Sequence, residues 1–94
     1  MQNKEQYQNR LDFYRRRMTF STLQVAQLLG HRETSTFREF ERGERLPSLI
    51  NAFRLGIILR VPIEFLFPDL YDSLKQGIRA KEETMAAPVQ QPLF

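Results

Sequence analysis

The sequence predicts an all-α protein with a single small domain. Apolar residues recur at steps of three and four along several segments, which is the spacing of one face of an α-helix. Serine, proline and glycine stand where such helices would begin and end. A chain of 94 residues, 41% hydrophobic and 27% charged, can bury one modest core. We therefore expect one domain over residues 1–83, followed by a tail.

The first expected helix is marked by one apolar face. Tyr7, Leu11, Tyr14 and Met18 follow one another at steps of four, three and four. They would share the side that meets the core. The arginine run at 15–17 would then point outward.

A capping box predicts where the second helix begins. Ser21 precedes the apolar residues of this helix, and Gln24 stands three positions later. Their side chains can satisfy the first free backbone N–H groups reciprocally. Gly30 can adopt the left-handed conformation that closes a helix, so this helix has about two turns.

The third expected helix has a narrow apolar face made of Phe37 and Phe40. It would begin near Ser35, with Thr34 or Ser35 as its cap, and end at Gly43. A helix with two large anchors fastens one side to the core and leaves the other side for a partner.

Three further helices are expected. The fourth follows Pro47 and Ser48 and is predicted to be central to the core through Leu49, Ala52, Phe53, Ile57 and Leu59, with Gly56 allowing a neighbour to approach closely. The fifth holds Ile63, Leu66 and Phe67 between Pro62 and Pro68. The sixth runs from Asp69 to about Glu83, with Leu70, Leu74 and Ile78 every four residues. Residues 84–94 have no charged side chain and no apolar periodicity, and they contain two prolines, so we expect a disordered tail.

Composition argues against an enzyme. The chain has no cysteine, one histidine and no glycine-rich phosphate loop, so we expect no catalytic site, no metal and no cofactor. His31 lies in an expected turn, where a local hydrogen bond is favoured over pH sensing. The polar start and the lack of a long uncharged run predict a cytoplasmic protein without a membrane span.

The charge pattern fits two interpretations, a phosphate-binding surface and a solvated surface of mixed charge. The net charge is +3, and the arginines concentrate between residues 15 and 45. They would suit a phosphate backbone. Five acids are interleaved with them, namely Asp12, Glu33, Glu39, Glu41 and Glu44. A solvated surface of mixed charge fits the composition equally well.

One set of residues resembles the Xre/Cro-like family of phage and bacterial repressors. The matching strings are Phe20-Ser21, Val25-Ala26, Leu28-Leu29-Gly30, Glu41-Arg42-Gly43-Glu44-Arg45, Leu46-Pro47-Ser48-Leu49, and then Leu59, Val61 and Phe67. The resemblance covers residues 11–67. It implies a five-helix lambda-repressor-like domain with a helix-turn-helix, here followed by a sixth helix. Arg60 stands where the family usually has glycine, so the fourth helix either ends without a left-handed residue or Arg60 adopts one at a cost.

The resemblance also implies a DNA interface, with the third helix, around 35–42, as the recognition helix. The implied base-contacting residues are Thr34, Ser35, Thr36, Arg38 and Glu39. The implied phosphate-contacting residues are Arg15, Ser21, Thr22 and Gln24, and charge and position add Arg32, Arg42 and Arg45. Purely structural roles compete for several of them. Ser21 and Gln24 can simply cap their helix, Arg42 can pair with Glu41 or Glu44, and Glu41 is expected to have an intramolecular partner.

These observations predict a sequence-specific regulator of transcription, of bacterial or phage origin and associated with the nucleoid. We expect a repressor that occupies its operator as a homodimer on a near-palindromic site. Ile50, Ile57 and Phe65 are commonly polar in the family, so they provide surplus apolar surface that the sixth helix or a second chain could cover. The alternative is an antitoxin-like or adaptor module that holds a protein partner through the sixth helix and the tail, with DNA binding secondary or lost.

Overall fold

The computed structural model describes residues 7–86, and within this range all regular elements are helices. The six helices are α1 (Leu11–Arg17), α2 (Thr22–Leu28), α3 (Ser35–Glu41), α4 (Leu49–Leu59), α5 (Ile63–Leu66) and α6 (Pro68–Ala86). The predicted all-α class is confirmed, and each expected helix is present.

The core lies between the first five helices. Its buried side chains are Leu11, Val25, Ala26, Leu29, Phe37, Phe40, Leu55, Leu59, Leu66 and Phe67. The two phenylalanines of α3 are the largest fully buried side chains. Because α3 packs against both α1 and α2, these aromatic rings join the N-terminal half of the molecule.

The start of α1 differs from the prediction. Tyr7 precedes the helix, and its N–H donates to the carbonyl oxygen of Gly43 at 2.9 Å. The helix begins at Leu11, whose N–H donates to the Asn9 side chain at 3.0 Å. The rest of the expected face is correct, since Leu11 is fully buried and Tyr14 and Met18 pack against the core.

The orientation of α4 was predicted wrongly. Leu59 is buried as expected, but Leu49, Phe53 and Ile57 are 70%, 59% and 74% exposed. The second buried residue of α4 is Leu55, four positions before Leu59. Apolar residues occupy both sides of α4, so the helical period could not identify which side meets the core.

Four helices end in the same way. The residues that close α1, α2, α3 and α4 have positive φ angles and are Thr19, Gly30, Gly43 and Arg60. After each of them, the next N–H donates to the carbonyl oxygen five residues earlier, at 2.9 to 3.2 Å. Gly30 and Gly43 were predicted as helix ends, and both are confirmed. Arg60 does adopt the left-handed conformation, at φ 61° and ψ 39°.

The chain turns sharply after α4. A Cβ atom placed on Gly56 would lie 3.1 Å from the carbonyl oxygen of Val61, which confirms the predicted close approach at this glycine. Pro68 ends α5 as expected and also begins α6, where its missing N–H has no cost.

The sixth helix extends away from the core. It runs through Ala86, three residues beyond the predicted end, and every described side chain from Tyr71 onward is exposed. The remainder of the expected tail, 87–94, lies outside the described residues. Between residues 7 and 86, no helix combines the length and apolar character needed to span a membrane.

Candidate nucleic-acid interface

The helix α3 has two sharply different sides. Phe37 and Phe40 are 0% and 2% exposed, and they fix the inner side against the core. Ser35 and Arg38 are exposed on the outer side, and Thr36 and Glu39 are partly exposed. Thr34 is partly exposed at the position that precedes the helix. All five predicted base-contacting residues therefore lie on one short helix or at its start.

The N-terminus of α3 is not capped by a side chain. Thr34 occupies the expected cap position, but its side chain makes no hydrogen bond to the backbone. Its hydroxyl oxygen instead accepts from Nε of Arg38 at 3.1 Å. No salt bridge engages Arg38 within residues 7–86. Its guanidinium retains free N–H donors on the outer side of α3.

A nearly buried ion pair holds α3 against α1. Nε of Arg15 lies 2.7 Å from Oε2 of Glu41, and the two side chains are only 12% and 13% exposed. The same guanidinium donates to the carbonyl oxygen of Phe20 at 3.0 Å and to Asp12 at 2.8 Å. The expectation that Glu41 has an intramolecular partner is confirmed. Arg15, predicted at a phosphate, is engaged in these internal bonds.

The sequence analysis missed a second contact to α3. The Asn9 amide donates to the carbonyl oxygens of Phe40, at 2.8 Å, and of Tyr7, at 2.9 Å, while its oxygen accepts from Leu11. This one side chain thereby joins the end of α3 to the start of α1. An asparagine two residues before an apolar helical face is a recognised capping signal, and could have indicated the start of α1. Its bond to Phe40 spans 31 positions and has no local signal.

The start of α2 carries three of the predicted phosphate contacts. The capping box is present: Gln24 N–H donates to Ser21 Oγ at 3.0 Å, and Ser21 N–H donates to Gln24 Oε1 at 2.8 Å. Both side chains remain exposed, whereas Thr22, the first residue of α2, is partly buried. The capping role of Ser21 and Gln24 is confirmed, and a phosphate contact by these residues stays a prediction.

The other three arginines predicted to contact phosphates differ in whether they already form a salt bridge. Arg42 pairs with Glu44 at 3.0 Å, one of the two partners considered, and Arg45 pairs with Glu39 at 3.0 Å. The carboxylate of Glu44 raises the pKa of Arg42 above its ordinary value. Arg32 is exposed in the loop between α2 and α3, and no salt bridge to it occurs in the described part of the chain.

The single histidine lies in the same loop. His31 N–H donates to the carbonyl oxygen of Ala26 at 2.9 Å and so completes the end of α2. Its ring is partly buried, and its buried Nδ1 has no hydrogen-bond partner. The expected local bond is thus made by the backbone and is not found at this ring nitrogen.

Nothing in this region resembles a metal centre. Within residues 7–86, no group of three or more histidine, cysteine, aspartate or glutamate residues is placed to hold an ion. The groups presented by α3 are a guanidinium, hydroxyls and one carboxylate, which can donate and accept hydrogen bonds at base edges.

Comparison of the chain with protein-family models, with curated proteins and with solved structures finds no match. The resemblance to repressors therefore depends on the residues quoted for it.

Proposed function

We propose that this protein is a sequence-specific, double-stranded DNA-binding regulator of transcription, of the five-helix repressor type, and that α3 enters the major groove. The observation that carries the proposal is the two-sided construction of α3. Phe37 and Phe40 fasten one side to the core, while Ser35 and Arg38 stand exposed on the other. A groove-reading helix needs both a rigid attachment and a free polar side.

The side chains of α3 suit different base edges. Arg38 is the residue best placed to grip a guanine, because no carboxylate between residues 7 and 86 pairs with its guanidinium, which can donate to O6 and N7 together. The hydroxyls of Thr34, Ser35 and Thr36 can bond to either base type. Glu39 can accept from the N4 amine of cytosine, but it must first release Arg45, to which it is bonded at 3.0 Å.

The basic residues differ in which existing salt bridges each would lose on contacting a phosphate. Arg32 can meet a phosphate without losing a salt bridge. Arg42 and Arg45 would exchange a carboxylate for a phosphate, so we expect each to contribute less net affinity. We assign Arg15 to the placement of α3, because its guanidinium already bonds Glu41, Asp12 and Phe20.

Selection of bound sequences from a random DNA pool tests this proposal directly. We expect the purified chain to enrich one near-palindromic sequence and to repress a promoter that carries it. The substitution Arg38→Ala, combined with Ser35→Ala, should reduce the preference for that sequence by roughly 10- to 100-fold, since a good bidentate base contact discriminates by about 1–3 kcal/mol. Arg54→Ala, which removes an exposed arginine from α4, is the matched control. Unchanged enrichment in the α3 variant would contradict the assignment of the recognition helix.

A salt titration distinguishes base contacts from phosphate contacts. Arg32→Ala should weaken binding to all DNA sequences alike and reduce the slope of log K against log salt by about 1. Ser35→Ala should leave that slope unchanged. An Arg32 variant with an unaltered slope would remove this residue from the proposed phosphate contacts.

The second candidate is an antitoxin-like or adaptor module that binds a protein. It is favoured by the exposed apolar residues of α6, because they have no role when α3 reads DNA. This candidate predicts weak or absent enrichment of any DNA sequence, and binding to the protein partner that depends weakly on salt. A selected DNA sequence together with a steep salt dependence would exclude it as the primary function.

A further inference from the structure

An open apolar groove runs between α4 and α6. It encloses about 370 Å³. Its walls include Leu46, which precedes α4, and Leu49, the first residue of α4. Phe67 lies at the base, and Leu70 and Leu74 of α6 form the other wall. Leu49 and Leu74 are 70% and 59% exposed. Nothing within residues 7–86 fills this groove.

The apolar surface continues from the groove along both helices. On α4 it extends through Phe53 and Ile57, four and eight residues after Leu49. On α6 it extends through Ile78 and Met85, which are 54% and 80% exposed. Leu74, Ile78 and Met85 lie at steps of four and seven and therefore share one helical face. The α6 helix does not cover the surplus apolar surface of its own chain, because Ile50, Ile57 and Phe65 are all more than half exposed.

We propose that the occupant of this groove is α6 of a second copy of the chain, lying antiparallel to the first α6. The chain carries both halves of such an interface. It has an apolar groove lined by residues of α4 and α6. It also has a helix of 19 residues whose apolar stripe is covered by no described residue. A two-fold axis lets each copy supply the helix and receive it, so one contact is made twice.

The charges along α6 favour the antiparallel direction. Its first turns carry Asp69 and Asp72, whereas its later part carries Lys75, Arg79 and Lys81 against Glu82 and Glu83 and so keeps a net charge of +1. Glu82, which follows these bases, is already paired with Arg79 at 3.3 Å. An antiparallel pair places the acidic start of one α6 beside the basic part of the other. A parallel pair places like charges together, which is unfavourable.

The exposed area is sufficient for a stable dimer. Six large side chains along this surface are more than half exposed: Leu49, Phe53, Ile57, Leu74, Ile78 and Met85. At on the order of 100 Å² each they present roughly 600 Å², the lower end of the area that one partner buries in a stable interface. A surface this apolar is uncommon on a monomer.

The segment 87–94 is a less suitable occupant. Eight residues, 87–94, follow the described part. Fully extended, they reach about 27 Å, and the helix from Leu70 to Ala86 is about 24 Å long. They would need to return along almost all of α6 to enter their own groove, and would leave the exposed face of α4 uncovered.

This inference rests on the proposed function, because a near-palindromic site is read by two copies of the chain, and it uses no residue of α3. The residues predicted to contact bases or phosphates do not line the groove. A failure of DNA binding and a failure of dimerisation can therefore be observed separately, by DNA selection and by molar mass.

Sedimentation equilibrium of the full-length chain tests the inference. We expect a dimer at micromolar concentration. Leu74→Lys combined with Ile78→Lys should raise the dimer Kd by about 100-fold or more, because two charges would be placed in an apolar interface. Gln76→Lys combined with Ala80→Lys introduces the same charges at the same spacing on another face of α6, and should leave the dimer intact. Circular dichroism should show equal helix content in all these proteins.

Three results would overturn the inference. The first is a wild-type chain that stays monomeric at about 100 μM, a concentration well above the dimer Kd expected for an interface of this size. The second is a dimer that the Leu74 and Ile78 substitutions leave unchanged. The third is a dimer that disappears when residues 87–94 are removed, because the end of the chain would then be required in the groove. Retention of the dimer in that truncated chain supports α6 as the occupant.

Discussion

The helices α3 and α6 expose opposite kinds of surface. The shorter one, with seven residues, buries two phenylalanines and shows hydroxyls, a guanidinium and a carboxylate to solvent. The longer one, with 19 residues, buries almost nothing beyond its first turn and shows leucine, isoleucine and methionine. An isolated helix of seven residues is unstable in water, so α3 exists because the core holds it. The α6 helix is longer but depends on local contacts, and its apolar side is suited to a partner.

This contrast predicts where the free energy of unfolding resides. Phe37→Ala should lower it by about 4 kcal/mol, since the substitution leaves a cavity at the junction of α1, α2 and α3. Leu74→Ala, measured at a concentration where the chain is monomeric, should change it by less than about 0.5 kcal/mol. Urea unfolding followed by circular dichroism measures both. Similar losses in the two variants would show that α6 is part of the cooperative unit.

The ion pair that positions α3 should have the next largest effect. Arg15→Ala should destabilise the protein by about 3 kcal/mol, because it leaves the nearly buried Glu41 carboxylate without its partner. Arg79→Ala breaks the exposed pair with Glu82 on α6 and should cost less than about 0.5 kcal/mol. Thermal unfolding of both variants is the measurement.

A double variant sharpens the test of this ion pair. Arg15→Met combined with Glu41→Leu removes both charges and should be less destabilising than Arg15→Ala alone. A double variant that is less stable than Arg15→Ala would show that the ion pair itself stabilises the fold. The loss in Arg15→Ala would then not come only from the unpaired Glu41 carboxylate.

The left-handed end of α4 offers a stabilising substitution. Arg60→Gly should raise the free energy of unfolding by about 1 kcal/mol, because φ is +61° at this position and glycine has no Cβ that disfavours it. Urea midpoints of wild type and variant check the sign. Arg54→Gly, in the middle of the same helix, is the control and should be destabilising. A loss of stability in Arg60→Gly would mean that its side chain makes contacts that outweigh the backbone cost.

The smallest effect concerns the glycine within α6. Gly77→Ala should stabilise this helix locally by about 1 kcal/mol, which slows amide exchange in α6 about five-fold and leaves the core unchanged. A Cβ at Gly77 meets no atom within 4 Å, whereas one at Gly56 meets the Val61 carbonyl oxygen at 3.1 Å. Gly56→Ala should therefore destabilise the core, and the two substitutions should have opposite signs. Hydrogen exchange resolved along the chain distinguishes the two regions.

Much of the fold was predictable because its signals are local. The capping box of Ser21 and Gln24, the glycines that close α2 and α3, and the proline that ends α5 all act within a few residues. The aromatic spacing in α3 predicted its buried side, and the outer residues of that helix follow from the same period. These signals are short in range, so they can be read directly from adjacent positions.

The remaining features depend on residues far apart along the chain. The bond from Asn9 to Phe40, the pairing of Arg15 with Glu41 and the choice of Leu55 over Leu49 and Phe53 all required the helices to be in place. Periodicity could not orient α4, which is apolar on both sides. It also could not show that α6 leaves the core, because an amphipathic stripe has the same spacing whether its partner lies in the same chain or in another.

The amino-acid sequence by itself therefore determined the presence of the helices, the ends of α2 and α3 and the polar outer side of α3, because propensities, caps and turns are properties of neighbouring residues. Only the tertiary structure decided which faces are buried, which charges are paired and which apolar surface remains open. Burial and ion pairing depend on distances in space, and the order of residues along the chain does not specify those distances until the helices have packed.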